Sequence, residues 1–145
     1  MGVYLNPGGA MLKRALNSKI YVDKSGMMSF LNSVANTEQQ FVCVSRPRRF
    51  GKSMAANMVC AYYDHTVDGA EAFVGLAAAV APEFDQCRNR YDVLRINMVE
   101  FLKRGRPVGE MLAELTKRIV WDFEDDYPEI RLREPEDLAA CLDRV

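Results

Sequence analysis

Apolar residues recur along this chain in two different rhythms. Met27, Met28, Phe30, Leu31 and Val34 fall at helical spacing and predict a helix over about 26–34. Met54, Ala55, Met58, Val59 and Tyr62 give a second helical stripe, ending near Asp64-His65 before the turn at Asp68-Gly69. A third is the longest. Val108, Met111, Leu112, Leu115, Ile119 and Phe123 step by three or four behind Pro107, which suits the first helical position, and Tyr127-Pro128 ends the run. Shorter helices are expected at 11–16 and over the Ala-rich stretch 71–80, which Pro82 stops, and a further one from Glu134 onward. The other rhythm is extended: Phe41-Val42-Cys43-Val44 and Val93 to Met98 read as strands, Ile20-Tyr21-Val22 as a short extended piece. Two strands about fifty residues apart with helices between them suggest a βαβ crossover.

Between the first strand and the second helical stripe lies Ser45-Arg46-Pro47-Arg48-Arg49-Phe50-Gly51-Lys52-Ser53. Strand, tight loop, Gly-Lys-Ser and helix follow in the order of a P-loop, where backbone N–H groups at a helix N-terminus hold phosphates. Gly51 lets the backbone approach the anion, Lys52 reaches the outer phosphates, and the Ser53 hydroxyl can ligate a phosphate-bound Mg²⁺. The usual first Gly of such a loop, five residues before Gly51, is replaced by Arg46. A Gly-Lys-Ser triplet alone occurs by chance in roughly one chain in ten of this size, so the flanking elements carry the reading. Arg46, Arg48, Arg49 and Lys52 crowd a helix N-terminus whose dipole disfavours cations, an arrangement that makes sense if an anion binds there. The bland alternative is a solvated basic turn with Ser45 or Ser53 as cap.

Tyr21-Val22-Asp23-Lys24-Ser25, the loop 45–53, Ala72-Phe73-Val74-Gly75-Leu76 and Tyr91-Asp92-Val93-Leu94 together resemble the bacterial AAA-ATPase-like family. Its hallmark is a Tyr-Val-Asp-Lys-Thr segment upstream of a Ser-Arg-Pro-Arg-Arg-Phe-Gly-Lys-Ser loop, and an Arg at the first Walker A Gly is typical of it. Ser25 stands where Thr is more usual. The resemblance implies a three-layer α/β P-loop core with a parallel sheet, strand 41–45 central beside strand 93–98. It also implies ATP and Mg²⁺ as cofactors, bound by Arg46, Pro47, Arg48, Arg49, Phe50, Gly51, Lys52 and Ser53. Members run several hundred residues, place the Walker B acids on a later strand and often end in a restriction-endonuclease-like domain. By that comparison, residues 1–145 form the N-terminal part of the domain, truncated before Walker B. Hydrolysis and any nucleic-acid contact would then need the C-terminal remainder.

Ile119-Val120-Trp121-Asp122 imitates a Walker B strand, but the helical period through it is strong and Phe123 follows the acid. Asp23 and Lys24 either meet the nucleotide site or form a helix cap or ion pair. Two other classes stay open: a nucleic-acid module using Arg46, Arg48 and Arg49, and a small-molecule kinase, whose acceptor site the sequence does not locate.

Composition narrows the class. The 145 residues carry 49% hydrophobic and 27% charged side chains with net charge −1, so global basicity does not favour nucleic acid. Neither a signal peptide nor a membrane span is evident, the longest near-apolar run being Val74–Pro82, and a cytoplasmic location is expected. The four scattered cysteines and single His65 offer no zinc pattern. Cys43 and Cys60 are expected as small buried hydrophobes, and His65 as a surface residue at a helix end.

Overall fold

The computed structural model describes residues 2–102 and 107–129. Its elements are α1 (Ala10–Leu16), α2 (Met27–Val34), α3 (Lys52–Tyr63), α4 (Ala70–Phe73), a 3₁₀ turn Ala77–Val80, α5 (Phe84–Cys87), a 3₁₀ turn Met98–Glu100 and α6 (Val108–Asp126). The chain divides into two units, Gly8–Asp92 and a second made of Met1–Pro7 with Val93–Val145.

In the first unit α1, α2 and α4 pack around α3 to form a core. Leu12 from α1, Met28 from α2, Met58, Ala61 and Tyr62 from α3, Phe73 from α4 and Ala78 are buried together. The Tyr62 ring stands edge-on to Phe73 at 5.7 Å and lies 5.5 Å from Phe84, an aromatic arrangement that adds to simple area burial. Its hydroxyl donates to the Phe84 carbonyl at 2.7 Å and accepts from Asn32 Nδ2 at 2.8 Å, so the buried polar tip is satisfied. Tyr63 donates to Asn32 Oδ1 at 2.8 Å, which ties α3 to α2 a second time. Helix α3 ends at Tyr63 because Asp64 turns away and is itself fully buried. Its carboxylate accepts from Gly8 N at 2.7 Å and from Thr66 N at 2.8 Å. The Ala-rich stretch is not one helix. It breaks at Gly75, whose φ of +82° is open to glycine and strained for other residues, into α4 and a 3₁₀ turn.

The second unit is organised by α6. Met111, Leu115, Ile119 and Phe123 pack with Tyr4, Leu5 and Phe101, whereas Val108 and Leu112 of the same stripe are largely exposed. The run 119–122 is helix, as the period required. Asp122 accepts hydrogen bonds from the backbone N–H groups of Tyr4 and Leu5 and so caps the N-terminal segment. That segment pairs antiparallel with the stretch after Val93: Leu5 bridges Leu94, Asn6 N–H donates to Val93 O at 2.8 Å, and Arg95 N–H to Tyr4 O at 2.8 Å.

The expected three-layer α/β core with a parallel sheet is therefore not what forms. Among the described residues there is no sheet, only isolated bridges at Leu5–Leu94 and Asp64–Tyr91. The physical reason is pairing. A strand exists only beside a neighbour about 4.8 Å away, and no backbone group of 41–45 has a backbone partner among the described residues. A central strand must also be covered on both faces, yet Phe41 is 88% exposed and Val44 51%. Residues 93–95 are extended, but they spend their hydrogen bonds on the N-terminal segment. Cys43 is consequently exposed, against expectation, while Cys60 is buried as expected. Cys141 and the helix expected from Glu134 onward lie outside the described residues. Among the described residues no helix is long and apolar enough to cross a membrane.

Candidate phosphate-binding site

Helix α3 opens at Lys52, one residue past Gly51, whose φ of +77° and ψ of 21° place it in the left-handed region. A residue there with a side chain would be strained, so Gly51 is the position at which the loop can turn into the helix. The first backbone bond across this junction runs from Ala55 N–H to Gly51 O at 2.9 Å. The N–H groups of Lys52, Ser53 and Met54 therefore precede the intrahelical ladder, and no side chain caps them. Twelve residues of aligned peptide dipoles stand behind those donors.

The preceding loop turns over Arg48–Phe50, with Arg49 also in the left-handed region at φ 68°. Pro47 leads into this turn, and Phe50 does not anchor it to the core: the residue is 59% exposed. Lys52 curls back over the loop. Its ammonium donates to the carbonyl of Arg46 and, at 2.9 Å, to that of Pro47. The loop from 46 to 52 is thus a closed ring held by the lysine that the sequence assigns to phosphate. Arg46, Arg48 and Arg49 are exposed, and their guanidinium groups make no ion pair among the described residues.

A cleft of about 670 Å³ opens beside this ring. One wall is the loop and helix start, from Ser45 and Arg46 through Phe50, Gly51 and Lys52 to Ala55; another is the face of α2 carrying Met27, Phe30 and Leu31; Val42, Cys43 and Val44 form a third. Among the described residues no carboxylate lines it. A smaller cleft of about 290 Å³ lies on the other side of Gly51, bounded by Ile20, Tyr21, Val22, Arg49, Met54 and Met58. The Tyr21 hydroxyl is buried without a hydrogen-bond partner, and burial, then the neighbouring Asp23 charge, raises its pKa above the ordinary 10.0. Lys24 borders both clefts.

Asp23 and Ser25 take neither of the roles expected of this segment at α2, which opens after Gly26 with no side-chain cap; they hold the start of the 3₁₀ turn Ala77–Val80 instead. Asp23 Oδ1 accepts from Ser25 N–H and Oδ2 from Ala77 N–H, each at 2.7 Å, and the buried Ser25 Oγ accepts from Ala78 N–H at 2.9 Å. Desolvation pushes the Asp23 pKa up, but the N–H donors of Ala77 and Ser25 and the Ser25 hydroxyl outweigh it and hold the group below its ordinary 3.8. Among the described residues Lys24 forms no ion pair; its ammonium donates to the Phe50 carbonyl at 2.5 Å. The sequence singled out Lys24 without a partner, and the contribution of Met27, Phe30 and Leu31 to the cleft wall was missed because their spacing reads simply as a core stripe. His65 lies beyond the far end of α3, its Nδ1 3.5 Å from Asp92.

The residues fit a phosphate group: three N–H donors, two ammonium groups and an approach free of carboxylate. Among the described residues there is no cluster of three His, Cys, Asp or Glu that could hold a divalent ion. A family model described as Predicted AAA-ATPase matches residues 13–144, nearly the whole chain, and the chain belongs to that AAA-ATPase-like family. No curated protein and no solved structure matches it at a significant level.

Proposed function

We propose that this chain binds MgATP through a variant Walker A loop, residues 45–53. The observation that carries the reading is the junction at Gly51. A left-handed glycine delivers the chain into α3 with three uncapped N–H groups, and the Lys52 ammonium rests on the Arg46 and Pro47 carbonyls of the loop before them. Family membership supports a nucleotide as the ligand. Lys52 and the N–H groups of 52–54 would hold the phosphates, Ser53 would contribute its hydroxyl to Mg²⁺, and Arg46 or Arg49 would add a planar donor fork. Mg²⁺, when bound with the nucleotide, would neutralise phosphate charge. Hydrolysis would require an acidic residue to hold that ion or orient water, and the described cleft wall carries none.

Titration calorimetry with MgATP tests the reading. Lys52→Ala removes a charge-assisted contact worth on the order of 2–3 kcal/mol, so affinity should fall roughly 30- to 150-fold. Equal affinities for the two proteins would refute the loop assignment.

A further inference from the structure

Lys24 stands in neither the loop nor α3, yet its ammonium lies where they join. It is 2.5 Å from the Phe50 carbonyl and 2.9 Å from the point a Cβ on Gly51 would occupy. We propose that Lys24 is a second phosphate-binding lysine, one that trades the Phe50 carbonyl for a phosphate oxygen of the bound nucleotide. This rests on the nucleotide-binding reading of the loop.

Three features of the structure favour it. The backbone that presents Lys24 is pinned on both sides: Asp23 to Ala77 N–H and Ser25 to Ala78 N–H, so the lysine is carried on a fixed point. Asp23, the nearest carboxylate in sequence, is directed to the backbone N–H groups of Ser25 and Ala77, and among the described residues Lys24 has no carboxylate partner. Lys52 is in the same condition, its ammonium resting on the Arg46 and Pro47 carbonyls. Two ammonium groups on the rim of one cleft, with no carboxylate among its described lining residues, repel each other; a polyphosphate between them turns that repulsion into attraction. An ammonium has three N–H donors, and one carbonyl occupies one of them. The competing role is a latch that merely holds Phe50 in place.

The two roles separate by chemistry. Lys24→Gln keeps a neutral donor for the Phe50 carbonyl and loses the charge; Lys24→Arg keeps both. MgATP affinity is measured by calorimetry on the wild-type chain, both of these variants, Lys24→Ala and Lys52→Ala, with thermal melting to compare their folding. A phosphate ligand predicts that Lys24→Gln and Lys24→Ala each weaken MgATP by about 10- to 100-fold while Lys24→Arg retains most of the affinity. Rescue by Lys24→Gln, or wild-type affinity in Lys24→Ala, overturns the inference and leaves the loop assignment standing if Lys52→Ala still abolishes binding. Absence of MgATP binding by the wild-type chain, or no effect of Lys52→Ala, overturns both.

Discussion

Asp122 and Tyr4 are 118 positions apart in the chain and 2.5 Å apart in space, carboxylate oxygen to backbone N–H. The same oxygen accepts from Leu5 N–H at 3.1 Å. An acid that ends an apolar run is the mark of a metal-binding strand, but this one sits inside α6 and satisfies the N-terminal segment. Asp122→Ala should leave two backbone donors without their acceptor and cost about 1–3 kcal/mol of stability. Nucleotide affinity should be unchanged. Chemical denaturation and calorimetry on the same variant check both halves, and a selective loss of MgATP binding would return Asp122 to the site.

Gly51 should not tolerate a side chain. Its φ of +77° strains any L residue, and a Cβ would approach the Lys24 ammonium to 2.9 Å. The lysine can shift, so the backbone carries most of the cost, about 1–2 kcal/mol. Gly51→Ala should weaken MgATP binding at least as much as it lowers thermal stability, because relief of the strain moves the N–H groups of the helix start. Calorimetry and melting of the purified variant measure the two effects.

Arg46 occupies the place of the first loop glycine, and its carbonyl, not its side chain, meets Lys52. The guanidinium is exposed and unpaired among the described residues, free to turn toward an anion. Arg46→Gly should therefore weaken MgATP about tenfold instead of improving it, with Arg46→Lys intermediate, since a point charge replaces a planar fork. Tighter binding by the glycine variant, or no change in either, would show that the arginine is not a ligand.

Alkali should unfold the first unit. Tyr62 and Tyr63 both titrate above the ordinary 10.0, chiefly because burial disfavours phenolate; for Tyr63 the neighbouring Tyr62, Cys87 and Tyr91 add to the rise. A raised acid pKa means the folded state holds its proton more tightly, so this stabilisation is complete below pH 10 and is lost as pH climbs through the folded values. At the acid end the sign reverses for Asp23. Its lowered pKa gives stability that is present above 3.8 and lost as pH falls through the folded value. Urea midpoints measured across the two ranges should show both slopes. Asp23→Asn should flatten only the acidic one.

Local patterning was enough to place α2, α3 and α6, because each apolar stripe follows the helical period and each end carries a breaker such as Asp64 or Tyr127-Pro128. It was enough, too, to mark residues 45–53, since the turn at Gly51 depends on a residue without Cβ and the charge of Lys52 is written in the chain. What the sequence could not decide was pairing. Phe41 to Val44 has the composition of a buried strand, but composition does not supply a neighbour, and without backbone partners among the described residues the segment is irregular and exposed. Nor could it say what lies across from a side chain: that Asp122 would meet Tyr4, or that Lys24 would reach Phe50. Those contacts join positions 118 and 26 residues apart, and only the packing of the helices sets such distances.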